Sequence, residues 1–554
     1  MKMSSGIGFG EAGRIGGLTI KNRIVMAPMI SNLANPDGST NETHIAYLRE
    51  RAIGGTGLII TEYTYVDNIN SKGSRNELGI YSTDLIPKLK RLTEIVHNEG
   101  SKIFIQLVHA GGKALEYSEK PMAPSRVNYQ GRMPREMKID DIERVVSAFA
   151  RAAKTAERAN FDGIELHGAH GYLLQEFISP SLNRRTDRFG GDFEGRIRFP
   201  QEVIDAVRAE IKIPVGMRLS LYEDDSDGYG PEYGLKVAES LKGIDYAHFS
   251  AGRFAVPGSS ASFYSPKVHI YSRLPRKPKI TSIVVGSVTS LEDINMVLER
   301  SDFVSVGRGL LSDPHFVKKL IRGQAIRPCI RCNQACRDLS FGEVRCTVNV
   351  DLGFERMPHF MNNFKGEMSI VGGGIKGIEA AITAAKAGLK VTLYEQRERI
   401  GGQILDIYDP FKKKEFQALL NYYENVIKKL GIEIHINERY TGKGLYCLPD
   451  VSYEHIYGSS EITINSNIYQ HHDEALSMAK NLSVKMTRES LSSLDRTRAA
   501  GFELYATSIG IKFVDSEKGD INMIEKDQYD IRKAIISGKN AVMEELRMNS
   551  PDYL

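Results

Sequence analysis

The chain has 554 residues, 41% hydrophobic and 26% charged, with a net charge of +4. This is too long for one ordinary domain and has the composition of a globular protein, so two or three domains are expected. The small net charge and the lack of a basic, aromatic-interleaved tract argue against nucleic acid; the lack of a membrane-length apolar run or signal-peptide core points to a cytoplasmic location without membrane partners.

Residues 1–325 alternate short β-branched runs with amphipathic stretches. The runs are 24–29, 57–62, 102–107, 163–168, 214–220, 246–252, 283–288 and 303–309. Helical periodicity fills intervals such as 140–160 and 196–212. Eight strands alternating with helices predict an N-terminal (β/α)8 TIM barrel in an α/β chain, with a doubly wound open sheet as the competitor. Barrel chemistry sits at the C-terminal strand ends. Those ends carry Pro28 and Met29, then Gln106 and His109, then His167, His170 and Tyr172, and then Arg218. Gly286 follows strand seven, and Gly307 and Arg308 follow strand eight, a place suited to a phosphate. A glutamine and an arginine facing the same cup would suit the pyrimidine edge of a flavin. His167 and His170 could be a metal pair or structural histidines, but no third ligand is apparent. Two imidazoles gripping a carbonyl oxygen, with Tyr172 delivering a proton, is the reading preferred here.

Residues 326–365 hold Cys329, Cys332, Cys336 and Cys346, four of the chain's five cysteines. The spacing C-x2-C-x3-C, followed by nine residues and a last cysteine, suits a 4Fe–4S cluster; structural zinc, which usually shows two C-x2-C knuckles, is the rival. Residues 366–455 then read strand, glycine turn, helix, strand. Gly372, Gly374 and Gly377 stand in G-x-G-x-x-G register and Glu395 closes the second strand, which predicts a Rossmann-like domain for an ADP-containing nucleotide. In 456–520 a second βαβ pattern recurs without a glycine in its loop, so an NAD(P)H site there is doubtful. His471 and His472 are expected to be solvated loop residues. Residues 521–554 supply a last helix, expected over 530–547 and returning to the nucleotide domain.

The motifs IGGLTIKNRIVMAPM, QLVHAGGKA, HGAHGYLLQEFISPSLNRRTDRFGG and SVGRGLLSDP resemble the old yellow enzyme family of FMN-dependent ene-reductases. PCIRCNQAC and VGGGIKGIEAA resemble its 2,4-dienoyl-CoA reductase and trimethylamine dehydrogenase-like iron–sulfur branch. The resemblance implies FMN in the barrel, with Gln106 and Arg218 on the isoalloxazine and Gly286, Gly307 and Arg308 on its phosphate. It further implies that His167 and His170 hold the substrate carbonyl and that Tyr172 is the proton donor. Ile30 departs from the family pattern and offers no thiol to tether a flavin. The Gly-Asp that the family places before the last helix, against the FAD ribityl chain, is replaced in MIEKDQYD, so the C-terminal site holds FAD imperfectly, or ADP.

The expected activity is reduction of an α,β-unsaturated carbonyl compound, using FMN and the cluster. The alternatives are an amine dehydrogenase and a non-catalytic electron-transfer flavoprotein. The absence of tryptophan weakens the amine reading, although Tyr63 and Tyr65 could contribute to an aromatic cage for an amine cation. Without an NAD(P)H domain, electrons would enter at the flavin or through a carrier such as ferredoxin or an electron-transferring flavoprotein. A homo-oligomer is left open.

Overall fold

The computed structural model describes residues 8–114, 120–128, 131, 133–253, 269–337, 339, 341–356, 364–407, 409–449, 453–458, 460–494, 496–515, 519–525 and 530–548. Eight parallel strands close into a barrel, with each neighbour in chain order hydrogen-bonded to the next. They are β1 (Ile24–Met26), β2 (Leu58–Tyr65), β3 (Lys102–Val108), β4 (Gly163–Gly168), β5 (Val215–Ser220), β6 (Tyr246–Ser250), β7 (Thr281–Val285) and β8 (Phe303–Val306). All eight runs expected from the sequence are present, with ends shifted by a few residues.

Around them lie α1 (Glu42–Ile53), α2 (Ile86–Asn98), α3 (Ile139–Arg158), α4 (Leu173–Ile178), α5 (Phe193–Glu210), α6 (Pro231–Ser240), α7 (Leu291–Leu298) and α8 (Arg308–Ser312). Every residue of β4, β5, β6 and β8 is buried, because the barrel interior covers one face and the helices cover the other. Helix α3 shows the matching pattern, burying Ile142, Val145, Phe149, Ala152 and Ala156 at helical spacing. A hairpin of Gly13–Ile15 and Leu18–Ile20 packs Ile15 and Ile20 against Val25, Leu58, Phe104 and Phe303. That hairpin stoppers the N-terminal end and leaves the C-terminal strand ends to form the cup.

Two smaller parallel sheets follow. One comprises β9 (Glu367–Val371), β10 (Lys390–Glu395), β11 (Glu433–Ile436) and β12 (Leu445–Tyr446). Helices α9 (Ile375–Lys386) and α10 (Pro410–Leu430) belong to it. The other comprises β13 (Glu461–Ser466), β14 (Ser483–Thr487), β15 (Lys512–Val514) and β16 (Ile521–Met523), with α11 (Tyr469–Met478) and α12 (Arg496–Ser508). Both sheets place their strands in the order third, second, first, fourth. Helix α13 (Ile531–Met548) returns to α9, its Ala534, Ile535, Val542 and Leu546 joining the core of the first small sheet.

His471 and His472 correct the sequence expectation. Both lie on α11 and are 2% and 4% exposed, and the connection from β13 is only Asn467 and Ile468. His471 Nδ1 bonds Ser466 Oγ at 2.8 Å, and its Nε2 bonds the Glu454 carbonyl at 2.9 Å. His472 Nε2 bonds the Ser490 carbonyl at 2.9 Å. A histidine in a helix can point inward wherever backbone carbonyls await a donor, and local sequence does not reveal that partner.

The cysteine segment joins two cores. Cys336 and Cys346 pack on the barrel core, while Ile330, Cys332, Val348 and Val350 belong to the core of the first small sheet. The buried Arg331 pairs with Glu415 of α10 at 2.9 Å. Arg532 of α13 donates to the Cys346 carbonyl at 2.8 Å, and Lys539 pairs with Asp351 at 2.7 Å. Residues 357–363 of the connector and 526–529 before α13 lie outside the described residues. Asp530, next in sequence, caps α13 by accepting from the Lys533 amide at 2.9 Å and also accepts from Gln334.

Candidate active site

The cup is built at the ends of β1 to β6. Gln106 on β3 is fully buried and donates through Nε2 to Glu165 of β4 at 2.7 Å. The same carboxylate meets His248 Nδ1 at 2.9 Å and the Tyr246 hydroxyl at 3.2 Å. Arg218 on β5 donates to the Pro28 carbonyl at 3.1 Å, tying β5 to the residues that follow β1. Among the described residues, the buried atoms Gln106 Oε1, Arg218 Nε and His248 Nε2 meet no hydrogen-bond partner. Buried polar atoms of this kind are normally satisfied. One acceptor and one cationic donor awaiting partners fit the edge of a flavin ring. Met29, half-buried, lies beside Gly307, where an added Cβ would stand 3.2 Å from its sulfur. Gly286 adopts φ +143°, a backbone that side chains avoid.

The histidines and tyrosines sit above. His167 lies in β4, and the chain then turns sharply through His170 at φ +59° and Gly171 at φ +71°. A non-glycine residue held left-handed costs backbone energy, and such strain is concentrated at functional sites. At Gly171 a Cβ would meet the Arg253 carbonyl at 2.6 Å. The turn aims Tyr172, which precedes α4, back over His167 with ring centroids 4.8 Å apart. His167 and His170 rings meet edge-on at 5.2 Å. The Ala169 amide donates to His167 Nδ1 at 3.3 Å, leaving the proton on Nε2. His170 Nε2 bonds Ser250 Oγ of β6 at 2.7 Å.

Burial, and next the Arg218 guanidinium, hold both imidazoles well below their usual pKa, so they are neutral at pH 7. Burial pushes Tyr172 up to about 12, with Tyr63 acting against the rise. Lys113, brought down to about 8 mainly by burial, donates to the His170 carbonyl and to the Arg253 carbonyl at 3.0 Å, with its ammonium 5.2 Å from the Tyr172 ring centre. Lys113 lies within QLVHAGGKA but was given no role from it, and Ser250, Glu165 and His248 carry no motif, so sequence reading missed all four; only closure of the barrel brings them together.

Arg308 turns toward the cysteine segment. Its guanidinium donates to Asn333 Oδ1 at 2.6 Å and lines a cavity together with Cys329, Cys332, Cys336 and Cys346. Burial raises the Cys329, Cys336 and Cys346 thiols, Cys346 to about 12, and neighbouring thiolates add to the rise. Among the described residues no group of three or more His, Cys, Asp or Glu side chains is arranged to hold a metal ion. The four cysteines line one cavity.

In the nucleotide sheet, Gly372 takes φ +107° and Gly374 caps α9. A Cβ on Gly377 would fall 1.8 Å from the Gly372 carbonyl, so helix and turn can close only on glycine. Glu395 directs its two oxygens to the amides of Gly373 at 2.7 Å and Arg397 at 2.8 Å. Between β13 and α11 the corresponding turn is filled: the Asn467 side chain donates to the Glu525 carbonyl at 2.8 Å and accepts from its amide at 2.9 Å. Among the described residues no helix is long and apolar enough to cross a membrane.

Residues 14–326 match the model of the NADH:flavin oxidoreductase / NADH oxidase family. The chain belongs to that family. Residues 367–442 match an FAD-dependent oxidoreductase model, which sets this member in the old yellow enzyme-like branch with a second flavin-type domain. A relative named NADH oxidase, from Thermoanaerobacter brockii, is 38% identical over 76% of this chain and 68% of its own. One named cinnamate reductase, from Clostridium sporogenes, is 34% identical over 76% and 70%. A solved 2-naphthoyl-CoA reductase complex shares the fold, with a TM-score of 0.87 over 96% of this chain and 99% of that one at 20% identity. This family member is a flavin-dependent oxidoreductase.

Proposed function

We propose that this flavoprotein reduces the C=C bond of an α,β-unsaturated carbonyl compound, an enone or an enoyl or dienoyl thioester. The observation that carries this reading is Tyr172 poised over the neutral His167, itself edge-on to the neutral His170, beside Arg218 and Lys113. His167 donates from Nε2 to the substrate carbonyl, and His170 completes the grip. Such donors polarise the double bond and hold the developing enolate charge. Flavin, when bound, supplies hydride for the β-carbon. Tyr172 supplies the proton for the α-carbon. The relative named cinnamate reductase supports the same class. An amine cation would meet Arg218 and Lys113 in this cup, which weighs against the amine dehydrogenase reading.

FMN is the flavin proposed for the barrel, with its ring edge on Gln106 and Arg218, Pro28 and Met29 flanking it, and its phosphate at Gly286 and Gly307; Arg308, expected there from the sequence, is directed to Asn333 and the cysteine cavity. Cys329, Cys332, Cys336 and Cys346, which line one cavity, are proposed to hold a 4Fe–4S cluster; their C-x2-C-x3-C spacing, lacking a second C-x2-C knuckle, suits a cluster better than structural zinc. An ADP-containing nucleotide, ADP or FAD, is proposed for the turn of Gly372, Gly374 and Gly377 with Glu395. The filled turn before α11 disfavours NAD(P)H there, so reducing equivalents reach the barrel flavin directly or come through the cysteine segment from a carrier protein.

Replacing Tyr172→Phe is expected to slow reoxidation of the reduced enzyme by an enone roughly 10²-fold, the scale of lost general-acid catalysis. Unchanged turnover would remove Tyr172 from its role. Anaerobic mixing with NADH or NADPH identifies the route: bleaching of the flavin that a substrate-site ligand blocks places the donor in the cup, and no bleaching places entry at the carrier.

A further inference from the structure

Glu165 is a fully buried carboxylate that the proposed reaction does not use. Strand register sets its place. Gln106 of β3, Glu165 of β4, Gly216 of β5 and Tyr246 of β6 stand level in four consecutive strands. Gly216 leaves a gap in that row, since a Cβ there would stand 2.1 Å from the Tyr246 ring. The ring fills the gap and brings its hydroxyl within 3.2 Å of Glu165 Oε2, which also meets His248 Nδ1 at 2.9 Å. Gln106 Nε2 donates to the other oxygen, Oε1, at 2.7 Å. Two residues further along the strands, on the same face, the next row holds His167, Arg218 and His248. Glu165 therefore lies one level below the cup. Its own row supplies hydrogen bonds and no lysine or arginine, and burial holds His248 below its usual pKa although Glu165 acts against this. Apolar side chains would fill such a level at lower cost than a buried carboxylate.

A carboxylate only accepts hydrogen bonds, so Gln106 presents an N–H to Glu165 and turns its Oε1 away. Among the described residues that Oε1 meets no partner. We propose that Glu165 is a positioning residue for the barrel flavin, fixing the Gln106 amide so that it offers an acceptor, and not a donor, to the ring N–H of the flavin's pyrimidine edge. This rests on the reading that places FMN against Gln106. Glu165→Gln separates shape from hydrogen-bond direction. The new amide keeps one acceptor oxygen, for which Tyr246 and His248 compete with two donors, and its N–H groups then face Gln106. To meet them the Gln106 amide turns over and offers its own N–H where the flavin also has one.

The test compares full-length wild type, Glu165→Gln, Gln106→Leu and the double variant. FMN is titrated into each stripped protein, and the flavin midpoint potential of each holoenzyme is read from its visible bands in a dye-coupled titration. Glu165→Gln is expected to weaken FMN binding about 10- to 100-fold, the scale of a lost hydrogen bond and an unsatisfied donor. Its flavin potential rises, because a donor at the ring edge and the loss of a buried negative charge nearby both favour the more negative reduced flavin. In the Gln106→Leu background the same substitution changes FMN affinity by no more than about threefold, since the amide through which it acts is gone. Wild-type affinity in Glu165→Gln, or a potential that stays or falls, overturns the proposal. So does an equal loss of affinity in both backgrounds, which is the mark of general damage to the barrel interior. Wild-type affinity in Gln106→Leu instead overturns the placement of FMN on which the proposal stands.

Discussion

Gln106 and Arg218 show how much can rest on a few buried atoms. Glu165 takes one N–H of the Gln106 amide and Arg218 binds the Pro28 carbonyl, while among the described residues Gln106 Oε1 and Arg218 Nε meet no partner. Leaving such atoms without partners costs about 1–3 kcal/mol each, which a flavin held there, as proposed, would relieve. Gln106→Leu and Arg218→Met are therefore each expected to weaken flavin binding about 10- to 100-fold. Fluorescence titration of flavin into the stripped protein measures this; unchanged affinity would place the ring elsewhere. Gln106, Arg218, His167, His170 and Tyr172 were legible in the sequence because each lies at a strand end in a specific motif. The contacts of Ser250 and Lys113 with His170, and of Tyr63 with Tyr172, were not, because each partner lies on an element distant in sequence.

At the level of elements, the two small sheets share one strand order but differ at the first turn. In the first, Gly377 closes on the Gly372 carbonyl, and Gly377→Ala is expected to abolish nucleotide retention in the C-terminal half while the barrel keeps its flavin. Chromatography of the extracted nucleotides distinguishes the two losses. In the second, side chains take the space. His472 is held neutral by burial, its pKa brought down to about 4. Because the folded value lies below the unfolded one, the unfolded chain binds more protons and stability falls as pH drops from about 6.5 to about 4. The contribution is on the order of 3 kcal/mol. His472→Asn should flatten that part of the melting-temperature profile; an unaltered slope would show that other groups carry it.

Across the whole molecule, the cysteine segment lies where the barrel core and the nucleotide core meet, pinned by Arg331–Glu415, Lys539–Asp351 and the Arg532 bond. A redox centre here would stand beside Arg308, the neighbour of Gly307, which follows β8. Cys332→Ser is expected to remove iron and acid-labile sulfide while leaving the flavin in the barrel. Iron analysis and the visible spectrum check this; zinc in their place would turn the assignment to the rival ion. The third core, around Ile464, Val484, Met486 and Phe502, is self-contained and meets α10 through Lys412–Asp473 at 2.6 Å.

Local pattern alone determined the eight barrel strands, the glycine turn before α9, the cysteine spacing and the strand-end residues of the cup. Each is a short-range signal: strand period, a backbone that only glycine permits, or ligand spacing along the chain. Tertiary structure decided what depends on distant partners. It buried His471 and His472, because carbonyls of Glu454 and Ser490 lay within reach. It turned Arg308 to Asn333, seated Tyr63 on Tyr172 through a slip in one strand, and filled the second nucleotide turn with hydrogen-bonded side chains. Hydrogen-bond satisfaction is settled by whatever lies within about 3 Å in the folded chain, and neighbours in sequence do not determine those neighbours in space.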